Sequence, residues 1–111
     1  MTIQDLIIDD ILIGTGSEVK TGDTVAIHYT GILENGKKFD SSLDRGTPFS
    51  TPIGVGYVIP GWDQGVIGMK VGGKRKLTIP FSLAYGEAGI PGVIPPKSTL
   101  IFDLELVDIK K

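Results

Sequence analysis

The 111-residue chain contains no cysteine, one histidine and one tryptophan. The missing cysteine excludes disulfides, thiolate nucleophiles and cysteine-ligated metals. It fits a reducing compartment such as the cytoplasm. The single histidine, His28, leaves little room for a Ser-His-Asp relay or a transition-metal centre. His28 falls on the polar face of a strand beside Tyr29, so a structural or surface role is expected for it. Long apolar runs are absent: nothing approaches the roughly 18 residues of a membrane span. An excess of one charge is absent too. Eleven Lys and Arg stand against thirteen Asp and Glu, a formal charge of −2, so no broad basic field invites nucleic acid. The opening "MTIQDLIIDDILIG" has three aspartates and no basic residue before Lys20. A secretory leader would need a basic start.

What is present is glycine and proline. Sixteen glycines and seven prolines are spread along a chain that is 41% hydrophobic and 22% charged. That composition describes one globular domain over residues 1–111, with turns between strands rather than a low-complexity tract. Residues 6–13, "LIIDDILI", read as a first strand with a solvated Asp9-Asp10 pair. Residues 24–33 alternate, with Val25, Ile27 and Tyr29 on one face and Ala26, His28 and Thr30 on the other. Asn35-Gly36 follows, a strong hairpin signal, and makes residues 37–41 an antiparallel return strand. Residues 43–56 read as a loop crossing the sheet. Residues 60–69 are the helix candidate: Pro60 suits a first turn, and Trp62, Val66 and Met69 share a face. Lys70, Lys74, Arg75 and Lys76 read as a solvated hairpin and edge strand, with Leu77 and Ile79 inward. Residues 99–109 form a last strand with Leu100, Phe102, Leu104 and Leu106 on one face. The resulting class is α+β, a curved antiparallel sheet with a helix against its concave face.

No stretch supports covalent, metal or nucleotide chemistry. The Gly14/Gly16 and Gly54/Gly56 pairs lack the remainder of any phosphate-binding loop. What stands out is apolar bulk where the strand pattern does not place it. Phe39, Phe49, Val58, Ile59 and Tyr85 fall at strand ends or in loops. Ile90, Val93 and Ile94 fall in "AGIPGVIPP". Each could cap a small core, but together they favour a shared apolar pocket.

Three stretches, "VAIHYTGILENGKKFDSS", "PFSTPIGVGYVIPGWDQGVIGMKVGGKRKLTIP" and "AYGEAGIPGVIPPKSTLIFDLELV", resemble the FKBP-type peptidyl-prolyl cis-trans isomerases. The likeness covers about residues 18 to 109 and is to the small single-domain type. It implies a five-stranded antiparallel half-barrel wrapped around one short helix. It also implies an enzyme that turns Xaa-Pro bonds in unfolded and folding proteins, without a cofactor or metal, as a cytoplasmic monomer inhibited by macrolides. By resemblance, Trp62 is the floor of the pocket. Tyr29, Phe39, Phe49 and Phe102 are its aromatic walls, and Val58 and Ile59 the strip before the helix, where the Ile59 N–H donates to ligand carbonyls. Asp40 and Tyr85 are polar groups, with Arg45 the guanidinium near Asp40; two readings of Asp40 stand, a hairpin-end carboxylate paired with Arg45 and a buried acceptor, held by Tyr29 and Arg45, that orients the substrate. Ile90, Val93 and Ile94 form a flap facing a bound proline ring. Some members have His where this chain has Ile90, which bears on selectivity more than on activity. The pocket alone leaves two other functions open: a module that binds proline-containing partners without turnover, and a folding chaperone.

Overall fold

The computed structural model describes residues 5–110. Met1–Gln4 and Lys111, the two ends of the expected domain, lie outside the described residues. Six strands and one α-helix follow in chain order: β1 (Ile7–Leu12), β2 (Thr24–Leu33), β3 (Lys38–Ser41), β4 (Phe49–Pro52), α1 (Pro60–Gly65), β5 (Lys74–Ile79) and β6 (Leu100–Lys110). The sheet runs β1-β5-β6-β2-β3, all antiparallel, and β4 also pairs with β2. Ten β2–β6 pairs, from Thr24 with Lys110 to Leu33 with Leu100, form its centre. The expected α+β sheet-and-helix architecture is present.

The fifth position of the sheet is split. β3 pairs with Thr30 to Ile32 of β2, and β4 with Thr24 to Ile27. Residues 43–56, expected as loop, therefore contain a strand. The split has a local cause at Ser42, which is fully buried. Its hydroxyl accepts the Tyr29 N–H at 2.8 Å, and its own N–H donates to the Tyr29 carbonyl at 3.0 Å. A side chain thus takes the ladder bond that a continuing strand would have made. The chain leaves through a 3-10 turn at Leu43–Arg45, reverses at Gly46 with φ 70°, and returns as β4.

The core follows the alternation read from the sequence. Val25, Ile27, Leu77, Ile79, Leu100, Phe102, Leu104 and Leu106 all point into it. The helix is shorter than the apolar spacing suggests, ending at Gly65 rather than at residue 69. Val66 and Met69 remain buried, but the backbone beyond Val66 is drawn elsewhere. The Gly68 N–H donates to Val19 O (3.0 Å), and the Val19 N–H to Met69 O (2.8 Å). Two glycines let α1 lie flat on β5: a Cβ on Gly61 would stand 2.5 Å from Ile79, and one on Gly65 2.6 Å from Leu77.

Two expectations on β5 are overturned together. β5 is not an edge strand but lies between β1 and β6. Arg75, expected in solvent, is only 9% exposed, because residues 75, 77 and 79 share the inward face. Asp10, exposed as expected, is its counterion: Arg75 Nε donates to Asp10 Oδ1 at 2.7 Å. A buried guanidinium needs such a partner.

Candidate functional site

Five aromatic side chains from four strands and α1 converge on one side of the sheet. Trp62, at the third position of α1, is 4% exposed. Its indole stands edge-on to three rings: Tyr29 at 5.1 Å and 83°, Phe102 at 5.4 Å and 88°, and Phe49 at 6.0 Å and 74°. Phe39 meets Phe102 edge-on at 5.6 Å. Perpendicular contacts of this kind are favourable because a positive ring edge faces a negative ring face. Gly31 makes the last pair fit: a Cβ there would stand 2.6 Å from Phe39 and 2.7 Å from Phe102. The Trp62 Nε1 is buried and has no hydrogen-bond partner.

These rings enclose a cavity of about 240 Å³, walled further by Val58, Ile59, Tyr85 and Asp40. Nine of the thirteen residues named from the sequence therefore line one space. The Ile59 carbonyl accepts the Trp62 and Asp63 N–H groups at the start of α1, at 2.9 and 3.2 Å. Upstream, the Asp63 carboxylate accepts the N–H groups of Gly54 (2.8 Å) and Gly56 (3.0 Å). Both glycines have positive φ, 83° and 86°, which a side chain would resist. The carboxylate thus holds the loop that delivers Tyr57, Val58 and Ile59 to the cavity.

Polar groups gather at the mouth. The Tyr29 hydroxyl donates to Asp40 Oδ2 at 2.6 Å. Arg45 donates to Asp40 Oδ1 at 2.8 Å and to the Tyr29 oxygen at 2.9 Å. Arg45 lies outside the cavity lining and acts on it through these two residues. Burial alone would raise the Asp40 carboxyl. The hydrogen bonds from Tyr29 and Arg45, the guanidinium charge and the Ser41 backbone outweigh it and hold the carboxyl below 3.8. Tyr29 is pushed above 10.0, first by burial and then by its bond to Asp40. Burial, then the Asp40 charge, also raises Tyr85. Of the two readings of Asp40, the buried acceptor does not hold: its side chain is 42% exposed.

The flap is placed differently from the expectation. Ile90, Val93 and Ile94 do not line the cavity. Ile90 and Ile94 bridge each other through two 2.8 Å backbone bonds, closing a small hairpin. Pro91 and Gly92 occupy its central positions, Gly92 with φ 78°, and the Val93 N–H donates to Ile90 O at 3.0 Å. That is type II turn chemistry. Closing the hairpin turns Ile94 into the core, where it is 3% exposed, and Val93 towards a separate groove beside Leu33. The missed lining residue is Tyr57, 75% exposed at the rim. Its signal was an aromatic side chain in a glycine-rich loop, the same signal that singled out Phe49 and Tyr85.

A second cavity of about 240 Å³ opens near Ile11, His28, Leu43 and Glu105. It lacks convergent aromatics. His28 Nδ1 lies 2.9 Å from the Ser42 hydroxyl, a structural contact that supports the strand split. Among the described residues no cluster of three or more His, Asp or Glu could hold a metal, and no helix is long and apolar enough to cross a membrane.

Known proteins share this arrangement. An FK506-binding protein of Neisseria meningitidis serogroup A is 58% identical over 104 residues, 94% of this chain and 95% of its own length. FK506-binding protein 1 of Saccharomyces cerevisiae is 60% identical over 103 residues, 92% and 90% of the two chains. The crystal structure of AtFKBP13 superposes with a TM-score of 0.89 at 46% identity, covering 95% of this chain and 93% of that one. The family model of the FKBP-type peptidyl-prolyl cis-trans isomerase matches residues 16–107. Sequence, fold and an aromatic cavity floored by a helical tryptophan agree: the chain belongs to the FKBP-type peptidyl-prolyl cis-trans isomerases and is an isomerase of Xaa-Pro bonds.

Proposed function

We propose that the cavity over Trp62 is where the isomerisation occurs, and that it works without a covalent step. Rotation about Xaa-Pro is slow because amide resonance must be broken, at a barrier of about 18–20 kcal/mol. Half-way round, the amide is twisted and charge separation between its oxygen and nitrogen is smaller. Water favours the planar, more polar amide. A wall of Phe39, Phe102, Val58, Ile59 and Trp62 replaces that water and favours the twisted form. Each ~1.4 kcal/mol of preference is a factor of ten in rate. The prolyl ring rests on the Trp62 indole while the chain on its other side turns. The Ile59 N–H holds a substrate carbonyl, and Asp40, oriented by Tyr29 and Arg45, aligns the chain at the mouth.

The observation that supports this reading most is the convergence of three aromatic rings on one buried indole, with the ion pair confined to the rim. The space suits a proline ring and its carbonyl rather than a whole peptide. The substrate is therefore an exposed Xaa-Pro segment of an unfolded or folding protein. By the same fit, tacrolimus and rapamycin occupy the cavity with a ring over Trp62, and Ile59, Asp40 and Tyr85 supply polar contacts. In this reading the protein works as a cytoplasmic monomer without metal, which fractionation, light scattering and an assay with a chelator test.

A protease-coupled assay on a Leu-Pro peptide is the direct experiment. Trp62→Leu should lower kcat/KM by about tenfold or more if the indole contacts the ring. A folded Trp62→Leu protein with full activity would place catalysis elsewhere.

A further inference from the structure

We infer that Arg75 is a positioning residue for isomerisation, its guanidinium fixing α1 on β5 and so setting where the Trp62 indole sits in the cavity. The inference rests on the cavity being the catalytic site.

A six-residue helix with glycines at positions 61 and 65 has little stability of its own. Its place is set by what it lies on. Gly61 rests over Ile79 and Gly65 over Leu77, successive inward residues of β5. The next inward residue is Arg75. Its Nη1 donates to Gly65 O at 2.9 Å and to Ile67 O at 3.0 Å, taking carbonyls that the end of the helix leaves unpaired. A cation is also favoured at that end of a helix. The other edge of the fork is held by Asp10 of β1, through Nε at 2.7 Å and Nη2 at 3.4 Å. Three elements are thereby joined at one planar group that is 9% exposed.

Among the described residues the bond to Gly65 O is the only side-chain hydrogen bond from the sheet to α1, and the bond to Ile67 O holds the chain just beyond it. The indole has no polar anchor of its own. Its height over the cavity follows the backbone of α1, one turn from Gly65. Lysine cannot replace the fork, because an ammonium lacks the planar geometry that serves carbonyls on one edge and a carboxylate on the other.

The test uses Arg75→Lys, the gentler Asp10→Asn, and Ile8→Ala as a control on the same strand. Each full-length protein is assayed well below its unfolding temperature for kcat/KM on a Leu-Pro peptide. The indole ¹H–¹⁵N resonance of Trp62, the sole tryptophan, is read in parallel. Arg75→Lys should lower kcat/KM about fivefold and Asp10→Asn about twofold, each with a matching shift of the resonance. Ile8→Ala should change neither. If Arg75→Lys does not fold, Asp10→Asn decides alone, since it keeps both carbonyl bonds. Lost activity with an unmoved indole overturns the inference, as does an Ile8→Ala protein that reproduces both effects. A moved indole with full activity overturns it through the cavity reading beneath it, which Trp62→Leu checks separately. No change in either readout overturns it directly.

Discussion

Two arginine–aspartate pairs of nearly equal geometry sit at opposite ends of the functional core. Arg45 and Asp40 meet at 2.8 Å at the mouth of the cavity, 50% and 42% exposed. Arg75 and Asp10 meet at 2.7 Å beneath the helix, 10% and 38% exposed. Their distances do not distinguish them, but their surroundings do. At the mouth, water solvates either partner when the other is removed, so the pair adds little to stability. Beneath the helix, removing Asp10 strands a nearly buried guanidinium, and removing Arg75 leaves two carbonyls unmatched. The mouth pair is therefore suited to touching a substrate, and the deep pair to holding the site in shape.

The largest effect that could break this contrast is on stability. Arg75→Ala should cost on the order of 3 kcal/mol in urea unfolding, whereas Arg45→Ala should leave the midpoint almost in place. The reverse order would mean that burial does not separate the pairs. Next comes activity. Asp40→Leu should lower kcat/KM about tenfold with little change in melting temperature. A folded, fully active variant would make Asp40 merely a partner for Arg45.

The pH dependence is smaller and has a definite sign. Asp40 is held below 3.8, so its interactions are intact above that value and are lost as the pH falls through its lowered folded-state value. Tyr29 is held above 10.0, so its hydroxyl keeps donating below that value and fails as the pH rises through its raised one. Turnover should therefore be flat between about pH 5 and pH 9. A limb inside that window would require another titrating group. The smallest effect belongs to the flap. Ile90→Lys should change the Leu-Pro to Glu-Pro preference by no more than about twofold, because Ile90 does not line the cavity. A larger shift would bring the flap back into contact with substrate.

The sequence made the strands and most of the cavity legible because period-two alternation and off-pattern aromatics are local signals. β4 was not legible. Its existence depends on a hydroxyl at Ser42 replacing a ladder bond to Tyr29, a contact between residues thirteen apart. Arg75 had the parity of Leu77 and Ile79, but its charge masked that parity, and its counterion is 65 residues away. The flap aliphatics were identified as special yet misplaced, since only the Ile90–Ile94 bridge decides which way each one points. The resemblance supplied what spacing could not: the role proposed for Trp62 and the grouping of residues 29, 40 and 102 with the off-pattern side chains.

The central pairing of β2 with β6 bears on how the molecule comes into being. The strand that lies between β5 and β2 is the last of the described strands to leave the ribosome. Until residues 100–110 emerge, β5 and β2 have no common neighbour. The nascent domain should thus remain open through most of its synthesis. Its folding should follow release of the final strand, on the slow side of the millisecond-to-second range usual for chains dominated by distant contacts.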